Sequence, residues 1–345
     1  MGSTIIDKLI LQDWINLMDN FKDSSILITG ATGSIGRQLV SQLLKETSAR
    51  RIAIFSRDEL KQSKMREDFE NDDRLRWFLG DIRDLERLKQ AMYNVDFVIH
   101  TAALKQVDTG EYNPIEFIKT NILGSQNVVE ASIYCKVKKV IALSTDKASS
   151  PINLYGATKL TADKLFISAN NYGHPRGTSF SVVRYGNVMG SRGSVIPFFK
   201  ELSAKGQRMP VTDFRMTRFW ITIEHASQFI LESFVLMDGG ELYVPKIPSM
   251  KIVDLAKAIG QNAEIFEIGV RPGEKLHEEM ISEDDSRRTY ILGDRYVVTP
   301  VSAEWGFVTP LNVQFMEEGT AYRSNTNKDW LTEGQIKEFI LRSDK

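Results

Sequence analysis

From Asp23 to Ile28 the chain passes from polar residues into a short apolar run. It continues through Thr29-Gly30-Ala31-Thr32-Gly33-Ser34-Ile35-Gly36 and then takes helical spacing over Arg37-Gln38-Leu39-Val40-Ser41-Gln42-Leu43-Leu44. Strand, glycine turn and helix in that order are the opening of a dinucleotide-binding unit. Gly30 permits the tight turn, Gly33 lets a diphosphate approach the backbone, and Gly36 lets the helix pack closely on the strand. The helix amino terminus attracts the anion. Thr29, Thr32, Ser34 and Ile35 complete the lining. This opening predicts an α/β fold, a Rossmann-like doubly wound parallel sheet.

The next strand, Arg51-Ile52-Ala53-Ile54-Phe55, ends in Ser56-Arg57-Asp58. A dinucleotide site recognises the adenosine ribose at this position. An acidic residue directly at the strand end would suit NAD. Ser56 followed by Arg57 better suits the 2′-phosphate of NADP, which a guanidinium grips with two charge-assisted bonds. Asp58 keeps NAD open as the lesser alternative. Further on, Gly80-Asp81-Ile82-Arg83-Asp84 follows another strand, and Val95-Asp96-Phe97-Val98-Ile99-His100 delivers the small residues Thr101-Ala102-Ala103. Ala102 and Ala103 fit close packing beside a cofactor, and equally an ordinary tight strand exit.

Lys138-Lys139-Val140-Ile141-Ala142-Leu143-Ser144 reads as a buried parallel strand, and polar residues at the carboxyl end of such a strand face the ligand crevice. Those residues are Thr145, Asp146 and Lys147. Shortly after come Tyr155-Gly156-Ala157-Thr158-Lys159. Tyr155 and Lys159 lie four residues apart, on one face of a helix, where the ammonium can stabilise the phenolate and bring down a pKa of about 10. Thr145, Asp146, Lys147, Tyr155 and Lys159 are therefore the candidate catalytic set. The plainer alternative makes Asp146-Lys147 a solvated strand exit and Tyr155 and Lys159 helix-surface residues.

With 345 residues the chain suits a nucleotide-binding core plus a smaller substrate-binding lobe. The expected division is an amino-terminal helical extension over 1–22, a core over 23–183, and a mixed α/β lobe over 184–345 with segments returning to the core. Thr4 to Met18 has the spacing of an amphipathic helix. The 44 Lys and Arg nearly balance 45 Asp and Glu, with formal charge −1, so no general nucleic-acid or acidic-membrane surface is expected. The single cysteine, Cys135, excludes an intrachain disulfide and fits a reducing compartment. The four histidines show no metal-ligand spacing, and His100 and Cys135 read as packing residues. No long apolar span or secretory leader is legible, and a cytoplasmic location is expected.

The glycine turn, the Tyr-x-x-x-Lys pair and the strand order resemble the extended short-chain dehydrogenase/reductase superfamily. Within it, several stretches are similar to the UDP-N-acetylglucosamine 4,6-dehydratases, and the inverting, soluble branch fits best. They are His100 to Val107, Leu143 to Ala148, Pro151 to Lys159, Arg184 to Val188, Thr217-Arg218-Phe219, Arg271-Pro272-Gly273-Glu274-Lys275 and Tyr322 to Asn327. Membrane-bound retaining relatives often carry methionine at the position of Tyr155. The resemblance implies NADP as a recycled cofactor and UDP-N-acetylglucosamine as substrate. It implies a homo-oligomer, dimer or hexamer, and the first intermediate toward pseudaminic acid as product. Gly80 to Asp84 then lies under adenine. Asn187 resembles a residue that hydrogen-bonds the nucleotide sugar, and Ser194-Val195-Ile196-Pro197 resembles the adjoining uridine segment. Arg218 and Arg271 are candidates for the diphosphate, with Glu274 in the same motif, although either arginine could serve a surface ion pair instead. Lys105 is either a sugar-side contact or a helix-surface lysine. Asn121 resembles the helix asparagine that supports the active site.

The mechanism so implied has Tyr155 taking the 4-hydroxyl proton while C4 gives up hydride, with Thr145 sharing the hydrogen bond and Lys159 holding the phenolate. Lys147 then removes the C5 proton and Asp146 protonates the departing 6-hydroxyl. A UDP-hexose 4-epimerase would share the fold, Tyr155 and Lys159 but has no need of the Asp-Lys pair. A retaining or alkene-releasing dehydratase, and a non-catalytic NADP sensor on the same fold, are further alternatives.

Overall fold

The computed structural model describes residues 20–189, 195–260 and 263–342. The helix expected over Thr4 to Met18, and Ser194 of the expected uridine segment, lie outside them. A ten-stranded sheet organises the described residues. Its parallel part comprises β1 (Ser25–Thr29), β2 (Arg51–Ser56), β3 (Leu75–Leu79), β4 (Phe97–His100), β5 (Lys139–Thr145) and β6 (Ser179–Tyr185), ordered 3-2-1-4-5-6. The strand Leu242–Pro245 continues it in parallel beside β6. Arg295–Val298, Thr289–Leu292 and Gln314–Phe315 then extend it antiparallel. Helices cover both faces, so the central strands are apolar throughout: every residue of β1 is buried, as are Val140 to Ser144 in β5.

Strand order reverses between β1 and β4, and there the carboxyl ends of neighbouring strands part to leave a crevice. Helix starts are fixed locally. Asp58 caps Glu59–Asp68 and Asp84 caps Leu85–Ala91, each accepting from a backbone N–H of the first turn. The first helix, Ser34–Glu46, instead begins at Gly33 with no side-chain cap, which leaves its orphan N–H groups pointing into the crevice.

A second core lies beyond β6. Met189, Ile196, Phe199, Met209, Met216, Trp220, Met250 and Leu255 are buried together there. Around them stand the helix Val195–Ala204 and a three-stranded sheet of Ser249–Lys251, Thr217–Ile221 and Asn187–Val188. The short strand Glu279–Ile281 pairs with Tyr322–Arg323 and faces the exit of β5. Among the described residues no helix is long and apolar enough to cross a membrane.

His100 closes β4 with its ring buried and Nδ1 2.8 Å from Thr29 Oγ1. Burial, helped by the nearby Lys159 ammonium, pushes the imidazole down to about 3. The unfolded ring titrates near 6.5. Stability linked to His100 is therefore intact above that pH and is lost as pH falls toward 3, by up to about 1.4 kcal/mol per pH unit. In urea unfolding at a series of pH values, His100→Gln should lose stability less steeply on acidification than the parent. Parallel slopes would contradict this.

Candidate active site

The floor of the crevice is the glycine turn. Gly30 has φ +66, and a Cβ there would stand 2.8 Å from the Ala102 backbone; at Gly36 it would stand 2.6 Å from the backbone of Ala31. These two glycines let the turn, the strand exit and the first helix close on one another. Thr101 Oγ1 donates to Thr29 O at 2.7 Å, which ties the exits of β1 and β4 together. Thr32 is buried, Ser34 and Ile35 are half-buried, and Ala102 and Ala103 are half-buried across the turn. Ile82 is buried, and its carbonyl accepts from Asn127.

At the end of β2 the expected residues have local partners. Gln62 Nε2 donates to Ser56 Oγ at 3.0 Å, and Arg57 points to Asp81 at 3.4 Å. Asp58 caps its helix. A cavity of about 450 Å³ opens instead among Thr32, Arg37, Asp58, Lys61, Lys64 and Asp68. Arg37, Lys61 and Lys64 were missed in the sequence. Their signal is spacing: Lys61 and Lys64 share a helix face, and Arg37 stands one turn past Gly33.

At the exit of β5, Thr145 Oγ1 donates to Asp146 Oδ1 at 2.9 Å, and Lys147 Nζ reaches the same oxygen at 3.0 Å. A single 3-10 turn, Asp146–Ala148, holds the two side chains. The helix Leu154–Ser168 begins beside it, capped by Asn153, whose Oδ1 accepts from Gly156 N at 2.7 Å. Gly156 makes this approach possible, since a Cβ there would lie 2.1 Å from the Lys147 carbonyl oxygen. Asn121 occupies the π-helical stretch Ile118–Leu123; its amide bonds both backbone groups of Leu104 and donates to Thr158 Oγ1. Lys105 follows on an exposed loop.

Tyr155 and Lys159 lie on one helix, and the structure gives their polar ends different partners. Lys159 Nζ donates to Leu143 O at 2.6 Å, and burial lowers its pKa against the pull of Asp163. Burial pushes the Tyr155 phenol up to about 12, opposed by the Lys147 ammonium and a hydrogen bond with Thr145. Lys147 is the cation that acts most on the phenol, and Lys159 is bonded to the strand carbonyl of Leu143.

Glu278, absent from the sequence reading, completes the cluster. It is buried, with Oε1 3.1 Å from Lys147 Nζ and 3.6 Å from Arg218 Nε. Its signal in the sequence is slight, an acidic pair just beyond the Arg271–Lys275 motif. Burial first and Glu278 second push the Asp146 carboxyl above its ordinary range. For Glu278, burial acts upward but Lys147 and Arg218 outweigh it and hold the group below that range. Burial also works against the Lys147 ammonium, yet Asp146 and Glu278 prevail and raise its pKa.

Arg218, expected on a diphosphate, is buried, and its guanidinium donates to the carbonyls of Thr217, Leu276 and Lys275 and pairs with Glu274. Its geometry is that of an organiser between segments. Arg271 is exposed, with Nε 3.1 Å from Glu274. Asn187 and Val195 are half-buried beside the second core. The segment 275–279 also grips the turn after β5: Ser149 and Ser150 donate to Glu279, and Lys275 Nζ donates to Ser149 O at 2.6 Å.

The fold is Rossmann-like, with this cluster at the carboxyl edge of its sheet. The chain belongs to the polysaccharide biosynthesis protein family, which matches residues 26–300. It is 52% identical over 332 residues to a Campylobacter jejuni protein named UDP-N-acetylglucosamine 4,6-dehydratase (inverting), covering 94% of this chain and 99% of that one. It is 39% identical to a Rickettsia prowazekii protein named UDP-glucose 4-epimerase, covering 94% and 97%. The X-ray structure of Pen from Bacillus thuringiensis superposes with a TM-score of 0.86 at 39% identity, covering 94% of this chain and 99% of that one.

Gly156→Ala should force the Lys147 carbonyl away and cost about 1–3 kcal/mol of stability. Chemical denaturation checks it, and a variant as stable as the parent would contradict the close approach.

Proposed function

We propose that the chain is an NADP-dependent UDP-N-acetylglucosamine 4,6-dehydratase that inverts C5. The product would be UDP-2-acetamido-2,6-dideoxy-β-L-arabino-hex-4-ulose, a precursor of the pseudaminic acid type. One observation carries this reading: an acid and an amine, Asp146 and Lys147, stand side by side at the sheet's carboxyl edge, joined through Thr145 to Tyr155. Oxidation alone needs only Tyr155. Elimination across C5 and C6 needs a base and an acid together.

The crevice fits a dinucleotide. The glycine turn brings backbone close at Gly30 and Gly36, and the uncapped helix at Gly33 offers N–H groups to a diphosphate. Around the cavity beyond Thr32, Arg37 pairs with Asp68 and Lys61 with Asp58, and Lys64 adds a third cation, so positive charge exceeds negative where a 2′-phosphate would sit, which favours NADP over NAD. The bound nicotinamide would accept hydride from C4 and return it to C6. Tyr155 takes the 4-hydroxyl proton, with Thr145 bonded to it and Lys159 fixed below. The 4-ketone acidifies C5–H. Lys147 Nζ takes that proton, and the electrons left behind form the C5–C6 double bond. The C6–O bond breaks, and the oxygen leaves as water with a proton from Asp146. Solvent supplies a proton to C5 on the opposite face, which gives inversion, and of the protons taken by Tyr155 and Lys147 one restores Asp146 and the other returns to solvent. Arg271, Asn187, Val195 and Glu274 are proposed on the nucleotide-sugar side.

A 4-epimerase reading draws on the 39% identity to the Rickettsia protein of that name. Such an enzyme returns hydride to C4 and has no use for C5 chemistry.

Tyr155→Phe should slow reduction of bound NADP on substrate addition by about 10²–10⁴-fold, read by nicotinamide absorbance. Asp146→Asn should keep that first phase yet stop water loss. Net turnover at the parental rate in Asp146→Asn would overturn the assignment. Titration calorimetry should give tighter binding of NADP than NAD, and Arg37→Ala with Lys64→Ala should weaken NADP about tenfold while leaving NAD little changed. Equal loss for both cofactors would contradict the 2′-phosphate site.

A further inference from the structure

The elimination as written uses two groups, yet the structure holds four charged side chains in one buried chain. Lys147 Nζ lies 3.0 Å from Asp146 Oδ1 and 3.1 Å from Glu278 Oε1, and Glu278 Oε1 lies 3.6 Å from Arg218 Nε. Both carboxylates are about 1% exposed. Each leaves one oxygen, Asp146 Oδ2 and Glu278 Oε2, without a hydrogen-bond partner among the described residues. Burying a second carboxylate against an already paired lysine carries a desolvation cost and adds repulsion. The surroundings nevertheless fix it. Ser324 Oγ accepts from the Glu278 backbone N–H at 2.9 Å and bonds Thr217 Oγ1 at 2.7 Å, while Arg218 is anchored on three carbonyls of its own lobe.

We propose, on the dehydratase reading, that Glu278 is a positioning residue: it holds Lys147 across the joint between the lobes and sets the pH window in which Asp146 and Lys147 share one proton. Elimination requires that single proton. Two protons on the pair leave no base, and none leaves no acid. When Lys147 takes the C5 proton and Asp146 gives its own to the departing oxygen, the proton count of the pair is unchanged. The pair ends as ammonium and carboxylate, and Glu278 supplies the second anion that balances the new ammonium. A fixed negative charge beside the pair disfavours ionised Asp146 and favours charged Lys147, so it moves both limits of the window to higher pH. The directions at Asp146 and Lys147 agree with this. The other groups facing the cluster are Tyr155 and Thr145 from the core and Arg218, Glu274, Lys275 and Glu279 from the substrate lobe; all remain when Glu278 alone is changed.

The test is the initial rate of solvent-deuterium incorporation at C5, measured against pH with the holoenzyme and UDP-N-acetylglucosamine. The isosteric Glu278→Gln should shift the whole profile to lower pH, whereas Glu278→Asp, which keeps the charge, should stay nearer the parental position. A Glu278→Gln profile reduced in height with both limbs unmoved would overturn the proposal and leave Glu278 a structural ion-pair partner. Should that variant not fold, carboxyl ¹³C NMR of the unmodified protein decides: Glu278 is expected to be ionised throughout, with Asp146 titrating above the ordinary carboxylate range. Glu278 titrating above Asp146 would overturn it. An unmodified enzyme that incorporates no deuterium at C5 would instead remove the dehydratase reading, and the proposal with it.

Discussion

The Lys147 ammonium, held between Asp146 on its own turn and Glu278 from the other lobe, is the contact on which the site depends. It joins the exit of β5 to the segment 274–279 and, with Arg218, holds the Glu278 carboxyl below its ordinary range, while burial and Glu278 keep Asp146 above its own. Around it, polar contacts add to the apolar packing of Phe219, Met280, Ile281 and Tyr322 against the main core. Glu279 receives Ser149 and Ser150, and Asn153 donates to Gly273 O, while Arg323 on the neighbouring strand pairs with Glu279 within its own lobe. A buried charge set of this kind is poor structural glue, because desolvation offsets much of the attraction. Its value lies in chemistry: two carboxyls a few ångströms apart are driven in opposite directions, one toward acid and one toward anion.

The nucleotide half was legible because its signals are local. Gly30, Gly33 and Gly36 are spaced by the turn they make, and the apolar runs of β1, β2, β4 and β5 need no distant partner to be recognised as strands. The Asp146–Lys147 turn could be placed for the same reason, since a polar exit from a buried parallel strand has only the crevice to face.

What escaped the sequence depends on contacts between distant segments. Glu278 meets Lys147 only because a strand of the other lobe docks on the turn after β5. Arg218 looks like an anion clamp in a linear reading, but folding surrounds it with carbonyls. Tyr155 and Lys159 have the spacing of an interacting pair; burial nonetheless raises the phenol to about 12, and Lys159 turns to the Leu143 carbonyl. Helical spacing fixes a shared face, and tertiary partners decide where the long side chain ends. In the same way Ser56 and Arg57 took local partners, while the cavity gathers Arg37, Lys61 and Lys64 with Asp58 and Asp68 from separate segments.

The central claim is that one site oxidises C4 and then eliminates across C5 and C6. Incubation of the purified protein with UDP-N-acetylglucosamine in deuterated water, followed by NMR and mass spectrometry, tests it most directly. The account predicts a 4-keto-6-deoxy sugar with deuterium at C5 and inverted configuration there. Unchanged mass with UDP-N-acetylgalactosamine formed would contradict it and identify an epimerase.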